Sequence, residues 1–214
     1  MSYPRIVFYF DCASSFSYIG FEFMEKYRQL WDIPVDYRPF ILADVMANAH
    51  NSFSPNKLPY LFTDLKRTSA ITKIPFRGVP KTYPYDPRVA LCTLQYLKLH
   101  YPQKLTQAMR ALWQMEYVQR QAPESADDVK AALAGIVDPG IVDVATSIDE
   151  IWDQVLQNTE SVKQIKGFGA PTILVYKQDS PPQMFFGSDR FEHIAMYLDK
   201  EFLPMKQLFA TTKL

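Results

Sequence analysis

The chain has 214 residues and a formal net charge of zero, since 23 Lys and Arg residues balance 23 Asp and Glu residues. Without excess positive charge it has no general electrostatic attraction for polyanions, which argues against nucleic acid as a partner. A hydrophobic fraction of 48% and a charged fraction of 21% exclude global disorder and are typical of an ordinary globular protein.

The first 40 residues predict a strand, a helix and a second strand. Residues 5–10 are a short run of β-branched and aromatic residues, which is typical of a buried central strand. Apolar residues then fall at helical spacing from Phe16 to Leu30, and residues 33–40 read as a strand again. This β-α-β order is the usual unit of a parallel sheet.

The long middle of the chain predicts helices. Only Gly78, Gly135 and Gly140, of seven glycines in all, fall between residues 21 and 166. Helical patterns of apolar residues occur over 89–99, 105–117 and 151–165, and Ser125 is a typical helix start. We therefore predict an inserted helical domain, residues 64–164, within a discontinuous domain made of residues 1–63 and 165–214.

The end of the chain predicts two strands and a final helix. Residues 171–176 and 183–186 read as strands joined by a turn, which predicts an antiparallel hairpin. Gly187 ends the second strand, and Ser188 is predicted to cap the final helix with Asp189 in its first turn. β-α-β at the start and β-β-α at the end, with helices between, predict an α/β thioredoxin-like fold with an all-helical insertion.

The turn between the first strand and the first helix is the leading candidate site. A serine hydroxyl and free N–H groups at a helix start favour a bound anion, although Ser14 would equally serve as a simple helix cap. Thiol oxidoreductases of this fold carry Cys-x-x-Cys here, whereas this chain has Ser14 and Ser17. Because Cys12 and Cys92 form no such pair, thiol chemistry at this turn would require a sulfur that comes with the ligand, which points to glutathione.

Two segments near the end of the chain complete the candidate site. Pro171 opens a strand after a small residue, which predicts a cis bond that leaves the Ala170 main chain free for the cysteinyl part of glutathione. An ordinary trans proline at a strand start is the alternative. Ser188 and Asp189 suit the carboxylate and ammonium of a γ-glutamyl group, unless they only cap the helix.

Together these segments resemble the kappa-class glutathione S-transferases and, more distantly, the 2-hydroxychromene-2-carboxylate isomerases and DsbA-type oxidoreductases. The resemblance covers nearly the whole chain and rests on residues 10–20, 38–39, 64–66, 169–171 and 186–190. It implies a DsbA-like fold, a homodimer, and a detoxifying transferase that activates the glutathione thiolate for attack on small electrophiles or peroxides.

The resemblance also implies roles for individual residues. Ser14 is the expected catalytic residue, hydrogen-bonded to the glutathione sulfur, and Lys57 is expected to face the glycyl carboxylate. The expected glutathione-binding residues are Ser14, Ser15, Phe16, Asn51, Lys57, Ala170, Ser188 and Asp189, with Pro171 as a structural cis-proline. The turn departs from the family's common Ser-Pro-Tyr-Ser, because this chain reads Ser-Ser-Phe-Ser and lacks the tyrosine hydroxyl.

Two other functions stay open at this point. An isomerase of the 2-hydroxychromene-2-carboxylate type would use the same site but return glutathione unconsumed. A non-catalytic thioredoxin-like binding protein would keep Ser14 as a helix cap only. The first differs from a transferase in its products, and the second in the absence of turnover.

Further expectations concern metals, membranes and location. Three histidines, no His-Glu-x-x-His spacing and no cysteine cluster argue against a metal site, and no apolar run is long enough for a membrane span. The final residues, Thr212, Lys213 and Leu214, resemble the Ser-Lys-Leu peroxisomal signal. Since the resembling family occurs in peroxisomes and mitochondria, we expect one of these compartments, with the cytosol as the alternative.

Overall fold

The computed structural model describes residues 4–52 and 56–211, in which four strands form one mixed sheet. The strands are β1 (Arg5–Phe10), β2 (Val35–Pro39), β3 (Thr172–Tyr176) and β4 (Gln183–Phe186), in the order β2-β1-β3-β4. β2 runs parallel to β1, whereas β3 is antiparallel to both β1 and β4. The predicted strands and their pairing in a parallel unit and a hairpin are confirmed.

Helices make up most of the remaining described chain. They are α1 (Ser15–Trp31), α2 (Leu42–Asn48), α3 (Lys57–Thr72), α4 (Arg88–His100), α5 (Pro102–Gln114), α6 (Ala126–Ala132), α7 (Gly140–Ser147), α8 (Asp149–Gln164), α9 (Phe191–Leu198) and α10 (Met205–Thr211). A π-helical segment, Met115–Gln119, continues α5. The architecture is the predicted DsbA-like thioredoxin fold with an all-helical insertion between β2 and β3.

The prediction that Ser188 caps a single final helix is wrong, because α9 is followed by α10 and Ser188 caps neither of them. α9 begins at Phe191, and Arg190 holds its N-cap position without a side-chain hydrogen bond. The reason is Gly187, whose backbone has a φ of 103° and whose N–H donates to the Pro171 carbonyl at 3.0 Å. Because this bond holds the chain against the start of β3, Ser188 forms a turn before the helix begins.

Both faces of β1 are covered, which explains its nearly continuous apolar sequence. Ile6 and Phe8 belong to the main hydrophobic cluster, together with residues of α1 and of the helices α4 to α8. Val7 and Tyr9 point to the other face, where they join a smaller cluster with residues of α2, α8 and β3. The sheet is therefore a central layer between helices.

The helical insertion supports the turn that follows β1. Trp113 of α5 donates from its indole N–H to the Cys12 carbonyl at 3.0 Å, and its ring centroid lies 5.6 Å from that of Phe10 and 5.1 Å from that of Phe21. The predicted boundary between residues 63 and 64 falls within α3. The division into a discontinuous domain and an inserted domain stays a prediction.

The remaining sequence expectations concern a membrane span, a metal site and the peroxisomal signal. Among residues 4–52 and 56–211, no helix combines the length and the apolar character that crossing a membrane requires. The same residues contain no group of three or more His, Cys, Asp or Glu side chains arranged to hold a metal ion. Residues 212–214, on which the peroxisomal expectation depends, lie outside the described part of the chain.

Candidate functional site

A cleft of about 680 Å³ lies beside the turn between β1 and α1. All eight residues predicted to bind glutathione line it, namely Ser14, Ser15, Phe16, Asn51, Lys57, Ala170, Ser188 and Asp189. They come from distant parts of the sequence, which meet because β3 lies next to β1 in the sheet. Such a volume is typical of a pocket for a small molecule.

Ser14 combines a helix cap with an unused hydrogen-bond donor. It is the N-cap of α1, and its Oγ accepts the Ser17 N–H at 3.1 Å. This bond uses an oxygen lone pair, whereas the Ser14 O–H has no acceptor among the described residues. The side chain is 6% exposed. Capping therefore does not exclude a ligand role, because the two functions use different sides of the hydroxyl.

The start of α1 favours negative charge next to Ser14. The first helical hydrogen bond runs from the Tyr18 N–H to the Ser14 carbonyl at 3.1 Å, so the N–H groups of Ser15 and Phe16 precede it. No acidic residue occupies the first turn of the helix. The positive end of the helix dipole is thus uncompensated, and an anion there gains about 0.3–1 kcal/mol.

The peptide bond between Ala170 and Pro171 is cis. Ala170 is 8% exposed, and its main-chain N–H and C=O make no hydrogen bond with the described residues. Free main-chain groups just before the start of a strand are suited to pairing with an extended peptide. The cleft therefore offers a main-chain docking position beside the Ser14 hydroxyl.

Gly20 of α1 permits the close approach of the segments that form this part of the cleft. A Cβ added at Gly20 would lie 2.9 Å from Cγ of Pro171 and 3.5 Å from Cβ of Ser188. The first distance is shorter than real contacts of a Cβ atom, so only glycine fits without displacing the proline ring. Sequence reasoning did not assign this role, because it depends on packing between distant segments.

The remaining predicted polar residues lie around the edge of the cleft. Ser188 is half-buried, and its hydroxyl has no partner within the described chain. The exposed Asp189 carboxylate pairs with the neighbouring Arg190 guanidinium. The Asn51 amide donates to the Phe168 carbonyl at 2.7 Å, which fixes its orientation. Lys57 is exposed at the start of α3. Hydroxyl, carboxylate, amide and ammonium groups are thus distributed around one space.

The rest of the cleft is mainly apolar. Phe16, Ile19, Phe23 and Tyr27 line it from one side of α1, and they extend over about 16 Å at 1.5 Å per residue. At the far end the ring centroid of Tyr27 lies 5.0 Å from that of Phe191. The cleft therefore has a polar end at the turn and an apolar extension along the first helix.

An enclosed group of acidic and thiol side chains lies behind the turn. Asp11 is 2% exposed, and its carboxylate accepts the N–H groups of Ala13 at 2.8 Å and of Leu42 at 2.7 Å. Burial raises the pKa of Asp11 to about 6, although these two hydrogen bonds act in the opposite direction. Burial likewise raises the pKa of the Cys12 thiol well above its usual value, so Cys12 lacks the thiolate character of a nucleophile.

Glu116 is a buried acid that sequence reasoning missed. It lies in the π-helical segment, is fully buried, and accepts the Tyr85 hydroxyl at 2.8 Å on one carboxyl oxygen. Its other oxygen has no hydrogen-bond partner among the described residues. Burial raises the pKa of Glu116 well above its usual value. A single Glu near a helix end is usually a surface residue, so no sequence pattern indicated this position.

Comparisons with known proteins agree with the predicted fold and family. Residues 5–199 match the DSBA-like thioredoxin domain family. The chain is 33% identical to glutathione S-transferase kappa 1 of Caenorhabditis elegans over 92% of each chain. It is 28% identical to glutathione S-transferase kappa 1 of Homo sapiens, over 94% of this chain and 93% of that one. A solved 2-hydroxychromene-2-carboxylate isomerase shares the fold, with a TM-score of 0.75 and 22% identity over 91% of this chain and 94% of that chain.

Proposed function

Since the chain belongs to the kappa-class glutathione S-transferases of the DSBA-like thioredoxin domain family, we propose that it binds glutathione in this cleft and activates its thiol. The thiolate then attacks small electrophiles or peroxides. The observation that carries the proposal is the Ser14 O–H, which is available as a donor at the uncompensated start of α1.

The polar end of the cleft supports one orientation of glutathione. Its cysteinyl main chain pairs with Ala170, which places the sulfur near Ser14. The γ-glutamyl group then lies at Ser188 and Asp189, which offer a hydroxyl and a carboxylate, and the glycyl carboxylate lies at Lys57. All five residues line the same space.

Activating the glutathione thiol in this way requires only a small free energy of stabilisation. A free thiol has a pKa near 8.5 and is only a few per cent ionised at neutral pH. Lowering that pKa by one to two units requires about 1.4–2.7 kcal/mol of differential stabilisation. One hydrogen bond from Ser14 to a charged sulfur contributes about 1.5–3 kcal/mol, and the helix dipole adds to it.

The apolar extension supports an apolar second substrate. Phe16, Ile19 and Phe23 continue the cleft away from Ser14 along α1. An apolar molecule there loses water contact on several sides, which favours binding by about 25 cal/mol per Å² of buried apolar surface. The electrophilic carbon has to lie at the Ser14 end, where the sulfur is.

The test is the replacement Ser14→Ala, assayed by conjugation of chlorodinitrobenzene. We expect kcat to fall by about 100-fold, because one hydrogen-bond donor to the reacting anion is lost. The affinity for glutathione, measured by calorimetry, should change less than about threefold. Ser15→Ala is the matched control, because it keeps the main-chain N–H that faces the cleft and should leave kcat nearly unchanged.

Three other results would contradict the proposal in different ways. An unchanged kcat in Ser14→Ala would exclude Ser14 as the donor. The absence of heat at millimolar glutathione would favour a non-catalytic binding protein. Substrate turnover that leaves glutathione unconsumed would instead indicate the isomerase, which product analysis by mass spectrometry detects.

We extend the proposal to a homodimer that acts in detoxification in peroxisomes or mitochondria. Family membership supports the homodimer and the detoxifying role. The sequence Thr212, Lys213, Leu214 supports a peroxisomal location. Analytical ultracentrifugation measures the oligomeric state, and a monomer at micromolar concentration would contradict the dimer. Imaging of an amino-terminally tagged chain, with and without its last three residues, tests the compartment, since only the intact ending should direct it to peroxisomes.

A further inference from the structure

Two tyrosines line the cleft within the described residues, and their hydroxyl groups differ in use. Tyr27 is 1% exposed, and its hydroxyl donates to the Leu203 carbonyl at 2.7 Å. Tyr83 is half-buried, and its hydroxyl has no hydrogen-bond partner among the residues that the structure describes. The Tyr27 hydroxyl is thus used within the fold, whereas the Tyr83 hydroxyl is available to donate a hydrogen bond to a ligand in the cleft.

The segment that carries Tyr83 is anchored on both sides. Before it, the Arg77 N–H donates to the Tyr117 carbonyl at 2.8 Å. After it, the Tyr85 hydroxyl donates to the buried Glu116 at 2.8 Å. The N–H of Tyr83 itself donates to the Pro80 carbonyl at 3.3 Å. The main chain that carries the Tyr83 ring is therefore held in place before a ligand binds, which favours a preorganised donor.

The surroundings of Tyr83 keep its hydroxyl protonated and place it at the turn end of the cleft. Burial raises the pKa of Tyr83 to about 12, and the nearby Glu116 and Asp11 carboxyls act in the same direction. Asp11 begins the turn, and its carbonyl accepts the Ser14 N–H at 3.2 Å. Tyr85 contacts Glu116, and the hydroxyl of the adjacent Tyr117 lies 3.5 Å from the Cys12 carbonyl of this turn. The segment that carries Tyr83 is therefore anchored at the turn end of the cleft.

We propose that Tyr83 is a second catalytic hydroxyl, which donates a hydrogen bond to the oxygen of the electrophile that becomes negative as the carbon–sulfur bond forms. The inference rests on the proposed transferase function and narrows its substrates. The favoured class is α,β-unsaturated carbonyl compounds with an apolar chain. The carbonyl oxygen meets Tyr83, and the chain follows the apolar extension along α1.

The reaction balances without any further reactant. The glutathione thiol first releases its proton to solvent, and the thiolate forms a bond to the β-carbon. The electron pair of the carbon–carbon double bond moves to give an enolate, whose oxygen accepts the Tyr83 hydrogen bond. Water then protonates the α-carbon, which restores the proton lost at the start.

The test compares two electrophiles in the replacement Tyr83→Phe. In the reaction of trans-2-hexenal the negative charge develops on the carbonyl oxygen. In the reaction of 1-iodohexane the negative charge departs with the iodide ion, and the electrophile contains no oxygen. We expect the rate with trans-2-hexenal to fall by about 10- to 100-fold, because one donor to the oxyanion is lost. The rate with 1-iodohexane should change by less than about twofold.

Two further replacements serve as controls. Tyr60→Phe removes a hydroxyl from a tyrosine that is 59% exposed on α3 and outside the cleft lining, and it should leave both rates unchanged. Tyr27→Phe removes the hydroxyl that the fold uses, and it should alter both rates by the same factor. Only Tyr83→Phe should lower the rate with trans-2-hexenal more than the rate with 1-iodohexane.

The possible results are distinguishable. Equal losses with both electrophiles in Tyr83→Phe would overturn the proposal, because Tyr83 would then act on the thiolate or on the fold. No loss with trans-2-hexenal would overturn it as well. If the unmodified protein conjugates neither compound nor chlorodinitrobenzene, the transferase function itself fails, and this inference fails with it.

Discussion

The polar groups on the two sides of the turn between β1 and α1 differ in whether the fold itself uses their hydrogen bonds. On the cleft side, the hydroxyl protons of Ser14 and Tyr83 have no acceptor among the described residues. On the buried side, Asp11 accepts two main-chain N–H groups, and Glu116 accepts the Tyr85 hydroxyl. The difference separates groups that a ligand can engage from groups that hold the turn in place.

This contrast predicts that the two sides respond differently to substitution. Loss of a hydrogen-bond donor on the cleft side should mainly alter binding or rate, because that donor has no acceptor among the described residues. A change on the buried side should alter the free energy of unfolding and its dependence on pH, because a buried carboxyl titrates differently in the folded and unfolded chain.

The largest stability effect is expected on the buried side, in the pH dependence that Asp11 confers. The pKa of Asp11 is raised from the usual value near 4 to about 6. Between these values the folded carboxyl keeps a proton that the unfolded carboxyl has released. The stabilising contribution is therefore complete below about pH 4 and is lost as the pH rises through 6, by about 3 kcal/mol in total.

Asp11→Asn removes this titration, and urea unfolding at pH 4 and pH 7.5 measures the effect. The stability of the unmodified protein relative to the variant should fall by about 2.5 kcal/mol between the two pH values, because part of the total is already lost at pH 4. Glu116 titrates in both proteins, and most of its contribution cancels because burial is the main cause of its raised pKa and Asp11 contributes less. Parallel pH profiles would contradict the raised pKa of Asp11 and the enclosed character of this side.

The next effect is expected on the cleft side, at Gly20. In Gly20→Ala the new Cβ meets Cγ of Pro171 at 2.9 Å and Cζ of Phe8 at 3.3 Å. Overpacking of this kind costs about 1–3 kcal/mol, which the better helix propensity of alanine offsets by about 1 kcal/mol. Because Pro171, next to the Ala170 docking position, has to shift, we expect about tenfold weaker glutathione binding with a net stability loss of about 1 kcal/mol.

Calorimetric titration with glutathione and urea unfolding check this prediction together. Gly140→Ala is the matched control, because the nearest atom to its Cβ is the end of the exposed Asp138 side chain, which can move. Unchanged glutathione affinity in Gly20→Ala would show that the contact between α1 and Pro171 does not position the binding residues.

The sequence predicts the segments that depend on local patterns better than those that depend on long-range contacts. β1, α1 and the β3–β4 hairpin are recognisable from short-range periodicity. Of the candidate binding residues, Ser14, Ala170, Ser188 and Asp189 follow from short local patterns, whereas Asn51 and Lys57 follow only from the family resemblance. The predicted start of α9 at Ser188 is wrong, because the Gly187 N–H donates to the carbonyl of Pro171, sixteen positions earlier, and delays the helix to Phe191. Tyr83 and Glu116 were not found, because their positions depend on the path of the chain between α3 and α4 and on the π-helical segment after α5, neither of which a local pattern indicates.

The smallest effect is expected at Ser17, which together with Ser14 replaces the two cysteines of thiol oxidoreductases with this fold. Ser17 is fully buried, and its Oγ has no hydrogen-bond partner within the described chain. Ser17→Ala removes this unpaired hydroxyl and keeps the main-chain N–H that donates to Ser14. An unpaired buried hydroxyl costs about 1–3 kcal/mol, and alanine is the better helix former, so the free energy of unfolding should rise by about 1 kcal/mol. Ser14→Ala, in contrast, should lower the free energy of unfolding by about 1 kcal/mol through loss of the cap.

Urea unfolding and the chlorodinitrobenzene assay compare Ser17→Ala with Ser14→Ala. A rate loss in Ser17→Ala as large as that in Ser14→Ala would mean that the second serine also serves the ligand, and the division between the two sides of the turn would then be wrong.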